Sequence, residues 1–336
     1  MLKKIMQRKI IQNKEIIEYS IKNEELEVRF LNVGGSITKI AMASDNYEQN
    51  LVLNYEDLTK YLDNEYFLNA LIGRTSNRIA DGKFMLEGKE IQLDINDDPH
   101  NLHGGDDNLT TRLFEVNELD DGYSLETMLP HQKNGFPGNL NVKVYYRLVD
   151  NKLKVIYEAT TDATTIVNLT QHAYFNLSGN LERTIYDHQL EIVATHVAEV
   201  DENVGFTGKL IPVSGTRFDF NKPVIIDPAS RKEHYLFDNA SGYNQLFILD
   251  SSAKNAITFK DLQSGRVMRV VTSEPACQFY ASGFLTEKTM FENNRLGEMH
   301  LGACFETHKI PYDYQSQILR SGEVYEQETI FQFSVE

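Results

Sequence analysis

The sequence predicts an all-β protein on three observations. Apolar residues recur at every second position in one run after another, turn dipeptides separate the runs, and aromatic residues are plentiful while helical periodicity is scarce. Over residues 141–148, Val142, Val144, Tyr146 and Leu148 share one face, and Asn141, Lys143, Tyr145 and Arg147 share the other. A period of two sends successive side chains to opposite faces of a strand, so this run builds a sheet with one buried side. Leu153, Val155, Tyr157 and Ala159 repeat the pattern against Lys154 and Glu158; Ile156 interrupts the polar set, as a strand covered on both faces requires. Thr329, Phe331, Phe333 and Val335 alternate again near the C-terminus. Seventeen Tyr and eighteen Phe favour strands over helices.

Turn chemistry punctuates these runs at Asp81-Gly82, Glu87-Gly88, Asp121-Gly122, Asn134-Gly135, Ser264-Gly265 and Ser321-Gly322. Many short strands joined by such turns imply sheets packed face to face. Helical candidates are few, the clearest lying around Asp57 to Leu71. A length of 336 residues suggests two domains at ~150 residues each. Large all-β folds break that rule, and no fixed-period repeat, linker or shift of composition marks a boundary. Residues 1–336 are expected to form a single domain.

Charge narrows the partners. The chain carries 33 Lys and Arg against 49 Asp and Glu, a formal net charge of −16. Such a surface repels phosphate backbones and anionic lipid, so no nucleic-acid or membrane partner is expected, and a small neutral substrate remains compatible. Charged and amide residues keep any N-terminal apolar run short of a signal peptide, and no stretch approaches the ~20 apolar residues of a membrane span. Cys277 and Cys304 form no CxxC pattern and are expected to be reduced, packed thiols in a cytoplasmic protein.

Four segments concentrate His, Arg, Asn, Gln and Glu beside glycine turns. In residues 73–79, Asn77 and Arg78 can fork onto hydroxyl groups, because guanidinium presents several donors in one plane; the plain alternative is a strand end with solvated arginines. In 101–105, His103 precedes two glycines, which lets the chain turn sharply and bring the imidazole to a ligand. His100 and His103 lack a nearby carboxylate or thiol set, so no metal is expected. In 167–179, alternation puts Asn168, Thr170, His172 and Tyr174 on one polar strand face, the lining of a pocket. In 302–308, Glu306 sits among core residue types; a buried carboxylate needs partners or a task, and the alternative is a strand-end Glu paired with a surface cation.

Taken together and in this order, the four segments resemble the aldose 1-epimerase (galactose mutarotase) family across nearly the whole chain. Supporting matches are Gly82-Lys83-Phe84, the run Gly215-Thr216-Arg217-Phe218-Asp219-Phe220, and the strand Glu274-Pro275-Ala276-Cys277-Gln278-Phe279-Tyr280. The resemblance implies a large antiparallel β-supersandwich of the galactose mutarotase-like kind, acting without cofactor on a free aldose as a monomer or homodimer. It implies His172 as the general acid toward the ring oxygen and Glu306 as the general base toward the anomeric hydroxyl. Asn77, Arg78, His103 and Gln278 would hold the sugar, with Tyr174 as a wall.

Two departures bear on the substrate. The family's Gly-Tyr-Asp-His segment reads Gly242-Tyr243-Asn244-Gln245 here, so an amide, Asn244, replaces an acidic sugar ligand. His308 and Pro311-Tyr312-Asp313 also differ from the family pattern. Alternatives are a mutarotase for a disaccharide or a phosphorylated hexose, a non-catalytic sugar-binding relative, and a glycoside hydrolase. The last needs two opposed carboxylates, and Asn244 removes the most obvious second one.

Overall fold

A computed structural model describes residues 1–227, 234–239, 242–253 and 256–336. Its strands assemble mainly into three antiparallel sheets. A nine-stranded sheet contains Leu140–Val149, Lys152–Thr161 and Tyr325–Val335 side by side. A six-stranded sheet runs in the order Tyr174–Phe175, Ala303–His308, Ala276–Tyr280, Asn244–Leu249, Ala194–Val200, Phe206–Pro212. A four-stranded meander is built from Leu2–Ile11, Lys14–Lys22, Leu26–Leu31 and Ile37–Met42.

One apolar core joins all three sheets. It takes Val144, Tyr146, Val155, Tyr157, Phe331 and Phe333 from the nine-stranded sheet. Phe247, Phe279 and Phe305 enter from the six-stranded sheet, and Val28, Phe30 and Ile40 from the meander. Rings cross the sheet interface at 5.1 Å for Phe175 and Phe331 and 5.2 Å for Phe259 and Phe305, the edge or tilted contact that aromatic quadrupoles prefer. The predicted strands over 141–148 and 329–335 form with the predicted alternation, except that Val335, at the end of its strand, is exposed. Ile156 departs from expectation: it is half-buried between Tyr145 and Glu328, so that face of the strand is only partly covered.

The helix expected around Asp57 to Leu71 is a 3₁₀ turn, Leu58–Leu62, whose first turn is capped by the Asp57 carboxylate accepting from Thr59 N–H. Leu71–Ile72 is a strand. Among the described residues the sole α-helix is Tyr235–Asn239, and no helix is long and apolar enough to cross a membrane.

Register in the six-stranded sheet builds the floor of a cleft. Gln278 pairs with Glu306, Tyr280 with Cys304 and with Asn244, and Tyr174 with Cys304. Period-two alternation therefore turns Phe279 and Phe305 into the core and Asn244, Gln278, Glu306 and Tyr174 to the opposite side.

Candidate functional site

Glu306 lies in the strand Ala303–His308 and is 2% exposed. Beside it stands His172, two residues ahead of the strand Tyr174–Phe175. Its backbone N–H donates to Ala70 O at 2.9 Å and its carbonyl accepts from Asn69 N–H at 3.1 Å, while its ring stacks on Tyr174 at 5.0 Å. These contacts aim His172 Nε2 at Glu306 Oε1, 3.4 Å away. The Nδ1 atom lies 3.5 Å from Cys304 Sγ.

The continuous polar face expected for Asn168, Thr170, His172 and Tyr174 does not form. The segment breaks into two short strands, Thr170–Gln171 against Leu71–Ile72 and Tyr174–Phe175 against Ala303–Cys304. Asn168 and Thr170 face the main chain instead. Asn168 donates to Lys309 O and accepts from Lys309 N–H, at 3.0 and 2.9 Å, and Thr170 Oγ1 donates to Thr307 O at 3.0 Å. They pin the strand end that carries Glu306.

The opposite wall comes from residues 77–78 and 101–105. Arg78–Ile79 pairs with Asn101–Leu102, and Asn77 and His103 clasp each other: Asn77 N–H donates to His103 Nδ1 at 3.2 Å, and His103 N–H to Asn77 O at 3.1 Å. Gly104 and Gly105 follow with φ of 85° and 91°. A Cβ on Gly104 would stand 2.6 Å from Arg74 N, and one on Gly105 2.6 Å from the Asn134 side chain, so both positions require glycine to press the loop home. Arg78 Nε donates to Asp97 Oδ2 at 2.6 Å. Asn77 Nδ2 donates to Gln278 Oε1 at 2.9 Å, and Gln278 Nε2 to Asn244 Oδ1 at 2.7 Å.

All eight residues singled out from the sequence, His172, Glu306, Asn77, Arg78, His103, Tyr174, Asn244 and Gln278, line one cleft of about 140 Å³. That is below the ~300–1,000 Å³ usual for drug-sized ligands and suits a single small ring. Glu65, Tyr66, Phe67, Leu102, Tyr280 and Phe284 complete the lining and were missed. Tyr280 was within reach, since alternation from Gln278 puts it on the same face. Residues 65–67 gave no such signal; the Phe67 ring packs 4.7 Å from His103.

Burial controls the charges. It pushes the Glu306 carboxyl up to about 8, against the opposing pull of the Arg78 cation. Burial likewise lowers His172 to about 4 and lowers His103, the latter with help from the charges of His172, Arg78 and His308. Glu306 Oε2 has no protein partner among the described residues. An uncharged carboxyl facing an uncharged imidazole thus holds one proton between two groups, and a polar ligand can draw that proton either way.

The metal question changes with folding. His100 turns away, its Nδ1 accepting from Asp81 N–H at 3.3 Å. His103, His172 and Glu306 instead bring one ligand atom each within 4.8 Å of one another, a set able to hold a divalent ion. A second such group, Asp187, His188 and Asp261, is already bridged by Arg183, which donates to both oxygens of Asp261 at 2.9 Å and pairs with Asp187.

Comparison with known proteins agrees with this architecture. A sequence profile of the family described as aldose 1-epimerase matches residues 18–332. The galactose mutarotase of Mus musculus is 34% identical over 326 residues, covering 95% of this chain and 94% of its own. The aldose 1-epimerase of Escherichia coli K12 is 30% identical over 309 residues, 87% of each. An aldose epimerase homologue from C. elegans superposes with a TM-score of 0.85 at 26% identity, over 95% of this chain and 98% of that one. The cleft thus sits in a fold shared along nearly its whole length with these proteins, and the chain belongs to the aldose 1-epimerase family.

Proposed function

We propose that the protein is an aldose 1-epimerase, an isomerase that interconverts the α and β anomers of a free aldose such as galactose or glucose through His172 and Glu306. The observation that carries this reading is the 3.4 Å approach of His172 Nε2 to Glu306 Oε1 on a buried floor. Opening a hemiacetal removes a proton from O1 and delivers one to O5, and closure reverses both transfers. Ionised Glu306 takes the O1 proton while protonated His172 supplies O5. Rotation about the C1 to C2 bond then presents the other aldehyde face. In the resting pair the proton lies on Glu306, and its passage to His172 gives the charged form that the sugar uses. Each group ends the cycle as it began, so proton transfer alone suffices and no cofactor is required.

Asn77, Arg78, His103, Asn244 and Gln278 hold hydroxyl groups in this scheme, with Tyr174 as wall. Among the described residues Arg78 is the single Lys or Arg lining the cleft, and its Nε is engaged by Asp97; this favours an unphosphorylated sugar over a hexose phosphate. Glu65, the second carboxylate of the lining, is exposed at the rim, unlike buried Glu306. The same reading assigns residues 1–336 to a single catalytic domain, active as a monomer or homodimer in cytoplasmic carbohydrate metabolism, including galactose and hexose metabolism. The buried free thiols of Cys277 and Cys304 suit a reducing compartment.

Polarimetry on freshly dissolved α-glucose, α-galactose, xylose, arabinose and maltose tests the proposal. Wild-type protein is expected to accelerate anomer exchange, and Glu306→Gln to lower kcat by ~10² or more with KM changed much less. Exchange no faster than in buffer for every sugar, or a Glu306→Gln rate near wild type, overturns it.

A further inference from the structure

The amides along one wall of the cleft carry a fixed direction of hydrogen bonding. It begins at the Arg78 backbone N–H, which can only donate, and does so to Asn77 Oδ1 over 2.9 Å. Asn77 is thereby left to donate through Nδ2 to Gln278 Oε1, and Gln278 through Nε2 to Asn244 Oδ1, at 2.9 and 2.7 Å. Each amide alone is free to exchange its oxygen and nitrogen ends. In series behind a main-chain donor it is not, because turning any member over sets like against like at one contact or more. Asn244 stands last. Its Oδ1 already accepts from Gln278, and its Nδ2, with no protein partner among the described residues, is the end of the chain left for a ligand in the cleft that Asn244 lines.

Neighbouring groups point the same way. His103 Nδ1 accepts from Asn77 N–H, so the neutral ring carries its hydrogen on Nε2. Tyr280 OH accepts from Phe284 N–H at 3.0 Å, which leaves the phenol hydrogen free to donate. With the guanidinium of Arg78, these groups add further donors to the lining that Asn244 shares.

The geometry points to Asn244 as an obligatory hydrogen-bond donor, so that the protein selects aldoses by an acceptor oxygen at the position facing Asn244 and tolerates one that bears no hydrogen, such as an ether or glycosidic oxygen. This deepens, and rests on, the assignment of the cleft to a free aldose. An aspartate in the same place has the opposite effect. One of its oxygens would accept from Gln278 and the other would accept from the sugar, requiring a hydroxyl hydrogen there.

Paired analogues of whichever parent turns over faster, galactose or glucose, read this polarity: monodeoxyfluoro and monodeoxy sugars at C2, C3, C4 and C6. Fluorine accepts weakly and cannot donate, and the deoxy position does neither. At one position the wild-type protein is expected to bind the fluoro sugar roughly three- to tenfold better than the deoxy sugar, about the range of one neutral hydrogen bond. KM from anomer exchange gives the ratio, or calorimetric Kd where a variant is slow. Asn244→Asp is expected to erase or invert it at that position. Gln278→Glu offers only acceptors, so it would turn Asn244 to present Oδ1 to the sugar and invert the ratio with Asn244 itself untouched. Equal binding of fluoro and deoxy sugars at every position, or a ratio indifferent to both substitutions, overturns the donor assignment while leaving a working epimerase. A protein that turns over neither parent sugar overturns the aldose assignment and this inference with it.

Discussion

Glu306→Gln is expected to stabilise the fold even as it removes catalysis, by an amount that grows with pH. Burial raises the carboxyl from 4.5 to about 8 in a residue that is 2% exposed. A carboxyl with a raised folded pKa binds its proton more tightly in the folded state than in the unfolded one. The stability it contributes is therefore complete below 4.5 and is lost as pH rises through about 8. At 1.36 kcal/mol per pKa unit, the rise from 4.5 to about 8 is worth at most ~5 kcal/mol. It is an upper bound because water reaches the open cleft and eases the burial of charge. At an unfolding entropy of ~2.1 cal/mol/K per residue over 336 residues, ~5 kcal/mol is ~7 °C in Tm. Gln keeps the shape and has no proton to lose. Calorimetric melting of both proteins at pH 5, 7 and 9 is expected to give similar Tm values at pH 5 and a gap approaching this bound at pH 9. Parallel wild-type and variant curves across that range would refute the burial of an ionisable carboxyl at this position.

Further expectations follow from the same cleft. If His172 and Glu306 are the proposed acid and base sharing one proton, kcat/KM is expected to stay level between about 4 and about 8, falling below as His172 gains a proton and above as Glu306 loses one; a maximum confined to a narrow band near pH 6 would contradict the shared proton. His172→Asn is expected to lower chiefly kcat, whereas His103→Asn is expected to raise KM as well, because in the proposed scheme His103 would meet the sugar in ground and transition states alike. If both variants change KM alone, the division of roles is wrong. Micromolar Zn²⁺ is expected to inhibit by occupying His103, His172 and Glu306, reversibly with chelator. Calorimetry that detects no Zn²⁺ binding to wild type, or binding undiminished in His103→Asn, would remove that site.

Local features were legible in the sequence because they depend on near neighbours. The alternation at Val142, Val144 and Tyr146 reports a pleat directly, and the glycines after His103 report a tight loop. The polarity around His172 was legible too, but its meaning was misassigned for two residues. Alternation says which side chains share a face only while the strand continues, and here it breaks after Gln171. Asn168 and Thr170 therefore went to the main chain of 307–309 rather than to the pocket. Other features exist only once distant strands meet. The shift of Glu306 arises from burial contributed by several elements, and the ligand-like grouping of His103, His172 and Glu306 joins three separate segments. Residues 65–67 sit in turns that follow the 3₁₀ segment Leu58–Leu62, without a period to read.

The grip of Asn168 and Thr170 on residues 307–309 has a mechanical consequence. One stretch of chain, 168–175, both bears His172 and clamps the strand that bears Glu306. The positions of His172 and Glu306 are therefore coupled through the hydrogen bonds that Asn168 and Thr170 make to residues 307–309. His103, Asn77 and Arg78 on the other wall are tied to the same stretch: Ser76 Oγ donates to Asn168 O at 2.8 Å, Asn168 N–H donates to Arg74 O at 3.0 Å, and Asn77 Nδ2 donates to Gln278. Both walls of the cleft thus depend on one buried amide, Asn168, which holds residues 74–76 on one side and Lys309, beyond Glu306, on the other.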